Sequence, residues 1–147
     1  MQLMLVPIEF PATFNTPFAA LGQTPEGCSS FMFPHIMGAE ISKKLLEEGA
    51  VLNSHEALSC GLVQCVLTAD RVQGVVMKYC QHISDLQPDA VELIKRIKRE
   101  NLFEKLQEVN LKECETLQKS VVSKKCFRAI ARYLDSRNMK IAAYVMK

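Results

Sequence analysis

The sequence lacks tryptophan, internal repeats and low-complexity linkers, and it lacks every usual signature of a metal or disulfide framework. Its six cysteines, Cys28, Cys60, Cys65, Cys80, Cys114 and Cys126, form no CxxC pair, and no histidine stands near them at metal-site spacing. No metal site is expected, and the cysteines read as buried free thiols of a reducing compartment. No run reaches the ~18–20 apolar residues of a membrane helix, so no membrane span is expected. The opening MQLMLVPIEF has no basic n-region and meets Pro7 early, which argues against a signal peptide. The closing AAYVMK carries no Ser-Lys-Leu type address. Strong charge is missing too. The net charge is +2, which demands no nucleic acid.

What is present is ordinary globular composition, 48% hydrophobic and 23% charged over 147 residues, enough for one domain with a sizeable core. The charge is uneven. Residues 1–84 carry 4 basic and 7 acidic side chains, whereas residues 85–147 carry 14 and 9. Solvated helix faces account for the basic half. The other reading is that lysines and arginines there, Lys95, Arg96, Lys98 and Arg99 among them, meet an anionic ligand such as a nucleotide phosphate.

Pro7, Pro11 and Pro17 keep the first 20 residues extended, and ATFNTPF alternates as a weak strand. A short helix is expected from Pro25 to about Phe33, stopped by Pro34. Ala39 to Gly49 reads as a second helix closed by glycine. NSHEALSCG reads as a third, capped by Asn53 or Ser54 and ended by Gly61. Leu62 to Leu67 is a short apolar run fit for a buried strand. Val72, Val75, Val76, Tyr79, Cys80 and Ile83 then form one helical stripe. Pro88 opens a helix with Val91, Ile94 and Ile97 inward. Phe103, Leu106, Val109, Cys114, Leu117 and Val121 mark a longer helix, and Phe127, Ile130, Ala131 and Leu134 a last one. Two short strands are a poor partner layer for so many amphipathic helices. The pattern is that of the back part of a larger α/β domain.

One stretch invites chemistry. In ALGQTPEGCSS, residues 20–30, Glu26 stands between Pro25 and Gly27. Read from the residues, Thr24 caps a helix, Pro25 takes the first helical position, and Glu26 sits in the positive field of the helix N-terminus. Gly27 is the counterweight, since a glycine in a first helical turn costs about 1 kcal/mol relative to alanine. Cys28 reads as packing rather than as a nucleophile. Gln23 either lines a pocket or caps the loop.

ATFNTPFAALGQTPEGCSSFMFPHIMG followed by EALSCGLVQCV resembles the enoyl-CoA hydratase/isomerase, or crotonase, superfamily, most nearly its peroxisomal-type delta(3)-delta(2)-enoyl-CoA isomerases. The resemblance runs from Ala12 to Leu134. The string TPF…LGQTPEGCSS is fairly specific, while EAxxxGLV is shared widely. The resemblance implies an α/β, ClpP/crotonase-like β-β-α spiral. This chain would correspond to its C-terminal part and be mostly helical, with a divergent leader at 1–11, a core remnant with the catalytic-loop helix at 12–67 and a helical layer at 68–147.

The resemblance also implies that Glu26 is the catalytic base of a 3-enoyl to 2-trans-enoyl shift in fatty acid beta-oxidation. Phe18, Leu21 and Phe31 would form the apolar substrate wall. No cofactor is implied, because CoA is part of the substrate. Phe18 stands where hydratases carry a second acid, and one carboxylate suits an isomerase. Chromodomain Y-like relatives tend to have aspartate in the matching string, so the glutamate leans toward the catalytic branch. The family's oxyanion donors lie upstream of the ATF strand, and the expectation is therefore an impaired enzyme. The alternative is a non-catalytic relative that assembles with itself or with full-length subunits, or that binds an acyl-CoA thioester without turnover. A corepressor-like role ranks below both. A peroxisomal or mitochondrial location is implied by the resemblance alone.

Overall fold

Helix dominates and strand pairing is sparse, as the residue pattern expects. The computed structural model describes residues 12–137 and, by backbone alone, residues 5–7. In chain order the elements are β1 (Leu5–Pro7), β2 (Thr13–Phe14), α1 (Ser29–Leu46), β3 (Leu52–Asn53), α2 (Ser54–Ser59), β4 (Cys65–Leu67), α3 (Ala69–Ser84), α4 (Pro88–Val121) and α5 (Lys124–Ser136). The chain folds as two compact units, one drawn from Met1–Phe14 and Val51–Glu108, the other from Asn15–Ala50 and Val109–Lys147. Of the leader expected at 1–11, residues 1–4 and 8–11 lie outside the described residues, as does the C-terminal AAYVMK.

In the first unit, β1 runs parallel to β4 with Val6 opposite Val66, and β2 runs antiparallel to β3 with Phe14 opposite Leu52. The two strands expected from sequence thus exist, shortened to Thr13–Phe14 and Cys65–Leu67. Their partners Leu5–Pro7 and Leu52–Asn53 were not expected. Ala57 and Val63, at 0% and 1% exposure, centre the core, with Ala12, Phe14, Leu62 and Val66 against them. Asn53 is the cap of α2. Its side-chain oxygen accepts from the His55 and Glu56 N–H groups, while the Glu56 carboxylate accepts from the Asn53 N–H at 2.7 Å. This reciprocal arrangement satisfies donors that a helix start otherwise leaves open. The helix closes at Gly61, where the Leu62 N–H reaches the Ala57 carbonyl.

The stripe along α3 is covered only at its start. Val72, Val75 and Val76 are half-buried, whereas Tyr79, Cys80 and Ile83 are exposed. The reason is length. Three paired residues of β1 span about 10 Å, whereas the 16 residues of α3 span about 24 Å.

The expected inward face of α4 is corrected as well. Val91 is half-buried, but Ile94 and Ile97 are 58% and 65% exposed, because among the described residues no layer covers them. The two helices expected at Pro88 and Phe103 are one 34-residue helix. Neither glycine nor proline occurs after Pro88 and up to Val121 to stop it. Phe103, Cys114 and Val121 are exposed rather than inward, while Leu106, Val109 and Leu117 are half-buried.

In the second unit the expected helix at Pro25–Phe33 is displaced. It begins at Ser29, and Pro34 lies inside it rather than ending it. The break comes at Gly38, with φ 80° and ψ 162°, a conformation that does not continue a helix. Proline removes one backbone donor, but the residues before it already hold helical geometry. Beyond Gly38 the expected second helix follows and ends at Leu46. The Thr16 hydroxyl donates to the Leu45 carbonyl at 2.8 Å, fixing the chain before the site to the end of α1. Among the described residues of this unit, Met37, Leu45, Leu46 and Cys126 are the buried hydrophobic ones, and Ser123 caps α5 through the Cys126 N–H. The thiols expected to be buried prove otherwise except for Cys126. Cys80 and Cys114 are exposed, the remaining three are half-buried, and none is in a disulfide. Among the described residues no helix is long and apolar enough to cross a membrane.

Candidate functional site

The Glu26 loop lies in the second unit, between a closed turn and the start of α1. The turn is built at residues 18–23. The Gln23 N–H donates to the Phe18 carbonyl at 2.8 Å and the Gly22 N–H to the Ala19 carbonyl at 3.1 Å. This is the paired pattern that ends a helical turn on a left-handed residue, and Gly22 holds φ 66°. A side chain at Gly22 would approach the Ala129 Cβ and the Cys126 Cα at 3.2 Å each, so α5 seats directly against the turn. The Cys126 thiol adds a contact of 3.3 Å to the Leu21 carbonyl. Phe18 and Leu21 are thereby brought together in one turn, both half-buried. Gln23 closes that turn through its backbone.

After the turn, Thr24 and Pro25 run without regular structure to Glu26. The expected cap is overturned here. Thr24 does not cap α1 and Pro25 is not its first residue. The residue at the cap is Cys28, with φ 61° and ψ 17° and no side-chain cap bond. Gly27 holds φ 63°. Two successive left-handed residues cannot belong to a right-handed helix, so the helix starts only after them. The Glu26 carbonyl accepts from the Ser29 N–H at 3.1 Å, closing the turn, and the Cys28 carbonyl accepts from Met32 at 2.8 Å.

The acid at the start of α1 is Glu113, from the second half of α4. Its Oε2 accepts from the Cys28 N–H at 2.7 Å, and its Oε1 accepts from the Ser30 N–H at 3.0 Å and the Ser30 hydroxyl at 2.5 Å. Glu113 is 7% exposed. A buried carboxylate is tolerable only with such donors, and bonds to an ionised acceptor are the stronger kind. The sequence reading did not single out Glu113. Its one signal was an acid within a stripe otherwise apolar at Val109 and Leu117, positions i−4 and i+4 on the same helix face.

Glu26 itself is exposed, and its side chain makes no hydrogen bond or ion pair with any described residue. Phe31 is half-buried on the first turn of α1, and its ring lies 4.2 Å from the His35 ring. The His35 Nδ1 is 2.6 Å from the Phe31 carbonyl. Two hydroxyls flanking the loop, Thr24 Oγ1 and Ser29 Oγ, are buried without a hydrogen-bond partner. Farther along α1, Lys44 bonds Glu40 at 2.8 Å. That hydrogen bond and the lysine charge hold the Glu40 carboxyl below its ordinary 4.5. Among the described residues no cluster of three or more His, Cys, Asp or Glu side chains could hold a metal ion.

The sequence profile described as enoyl-CoA hydratase/isomerase matches residues 8–142. The chain is 39% identical to human enoyl-CoA delta isomerase 2 over 127 residues, which is 86% of this chain and 32% of that protein. It is 33% identical to human chromodomain Y-like protein over 126 residues, 86% of this chain and 21% of that one. The crystal structure of an enoyl-CoA hydratase/isomerase from Pseudoalteromonas atlantica superposes with a TM-score of 0.85 at 26% identity, covering 96% of this chain and 56% of that one. The chain thus spans about a third of the length of the human isomerase it matches.

Proposed function

Because the chain belongs to the enoyl-CoA hydratase/isomerase family, we propose that it acts on 3-enoyl-CoA thioesters, with Glu26 as the single base of a double-bond shift. The observation that carries the proposal is the state of Glu26. It is exposed and unpartnered among the described residues, on a loop whose backbone is held at both ends. A first-turn acid serving only to cap a helix would be bonded to the helix N–H groups, and here another carboxylate takes them.

The chemistry follows from the substrate class. Glu26 takes a proton from C2 of the 3-enoyl thioester, and the C–H electron pair spreads into a dienolate whose charge rests on the thioester oxygen. The protonated Glu26 returns the proton at C4, and the double bond comes to lie between C2 and C3. Nothing is oxidised or reduced, and no second acid is needed. Phe18, which cannot carry a proton, suits that single-base route, and Phe18, Leu21 and Phe31 are the proposed wall for the acyl chain. The dienolate oxygen requires backbone donors, which the family resemblance puts N-terminal to Ala12. Each is worth on the order of 3 kcal/mol of barrier, whereas general base assistance supplies roughly 10²–10⁴-fold. The proposed compartment, a peroxisome or a mitochondrion, rests on the resemblance alone.

A second reading is favoured by the exposed apolar faces of the first unit. Met77, Ile94, Ile97 and Phe103 are 58–65% exposed. Such a surface fits association with further copies or with longer family subunits, with acyl-CoA bound but not turned over.

The deciding experiment is isomerisation of a 3-enoyl-CoA by the purified chain beside Glu26→Gln. Turnover that disappears in the variant supports the base. Turnover that survives it refutes Glu26. A folded wild-type chain without turnover moves the assignment to the second reading.

A further inference from the structure

We propose that Glu113 is the positioning residue of the Glu26 loop: from α4 it takes the backbone N–H groups of Cys28 and Ser30, and so fixes where the Glu26 carboxylate stands. The functional half of this inference rests on the reading of Glu26 as base. The structural half rests on geometry alone.

The loop has a reason to need outside support. Gly27 and Cys28 are both left-handed, and a left-handed cysteine persists only where its surroundings over-determine it. The start of α1 also presents open N–H groups. Its cap residue supplies no side-chain bond to them. Glu113 answers both needs at once from 83 and 85 residues away. The two carboxylate oxygens bond on either side of Ser29, one to Cys28 and one to Ser30, and this fixes the orientation of the turn as well as its place.

The dependence runs in both directions. Glu113 is 7% exposed and forms no ion pair among the described residues. Its charge is answered by three donors of this one loop and by the positive end of α1. Were it absent, the vacated N–H groups would be open to the carboxylate closest to them along the sequence, which is Glu26. Glu113 therefore does two things. It holds the backbone that carries Glu26, and it keeps Glu26 from being consumed as a helix cap. The acid expected at the helix start is present, but it comes from a distant helix, and the acid next to the start in sequence is left available for chemistry.

The test uses the full chain with Glu113→Ala and with the near-isosteric Glu113→Gln, read in three ways. The first is residue-resolved amide hydrogen exchange. Cys28 and Ser30 are expected to exchange about 10- to 100-fold faster in Glu113→Ala, the loss of bonds to a charged acceptor, while the α3 amides stay as they were. The second is the ¹³C resonance of the Glu26 carboxyl, which shifts as that group turns onto the freed N–H groups. The third is isomerisation. kcat is expected to fall on the order of 100-fold with little change in KM, the mark of a misplaced group. Glu113→Gln keeps an acceptor oxygen for one of the two amides and recovers part of each effect. If the alanine variant does not fold, Glu113→Gln alone decides, by faster exchange at one of the two amides. Unchanged exchange at both amides, or a Glu26 resonance that stays in place, overturns the proposal. Glu26→Gln keeps the two readings apart. If it leaves turnover intact, or if the wild type shows none, the base assignment fails while exchange and the resonance still judge the clamp.

Discussion

Three glycine-to-alanine substitutions separate backbone strain from packing, because the surroundings differ at each. At Gly22 the added methyl meets the Ala129 Cβ and the Cys126 Cα at 3.2 Å, and φ is 66°. The left-handed conformation costs a non-glycine residue about 1–2 kcal/mol, and forcing a methyl into a packed contact costs about 1–3 kcal/mol. Since one neighbour is backbone, relief requires α5 itself to move. The expected loss is about 3 kcal/mol, or a fall in Tm of about 6–12 °C for a chain of this size. At Gly27 φ is 63° but no atom lies within 4 Å. Only the strain remains, about 1–2 kcal/mol, or about 2–8 °C. Gly74 lies inside α3 with open space around it, so alanine there is expected to stabilise by about 0.5–1 kcal/mol. Thermal melts followed by circular dichroism, with urea midpoints alongside, give all three. Equal losses at Gly22 and Gly27 would refute the seating of α5 on the 18–23 turn. A neutral Gly27→Ala would refute the left-handed loop on which the Glu113 clamp depends.

Two further outcomes follow from single groups. Ser29→Ala removes a buried hydroxyl that lacks a partner, so it is expected to raise the urea midpoint by the equivalent of about 1 kcal/mol; a clear loss would mean that the hydroxyl is bonded after all. Glu40 titrates below its ordinary 4.5 because of Lys44. Its folded value is depressed, so the pair stabilises fully above the ordinary carboxylate range and the contribution fades as pH falls through the lowered value. An NMR titration of Glu40 is expected to move back toward 4.5 in Lys44→Ala, and an unmoved midpoint would remove Lys44 as the cause.

Much of the local structure was legible from residues. Asn53 with Glu56 three positions later is a start signal that works through neighbours alone, and it is realised as a reciprocal cap. The run from Pro88 is helical throughout for want of any breaker. The family, too, was carried by two stretches, the one around Glu26 and EALSCGLVQCV, and a match over residues 8–142 bears it out. Where local logic failed, a distant partner or the lack of one decided. The apolar spacing of Ile94 and Ile97 promises burial, yet burial needs a second surface, and none of the described residues supplies it.

The start of α1 draws the line most clearly. Amino-acid type pointed to a helix from Pro25 to Phe33 with Glu26 in its first turn; the helix exists, but it begins only at Ser29. Which acid serves the helix was decided only by tertiary structure. The Cys28 and Ser30 N–H groups are satisfied from 85 and 83 residues away, and periodicity and propensity carry no information about such a pairing. A hydrogen bond depends on distance in space, and that distance exists only once α4 has brought Glu113 to the loop.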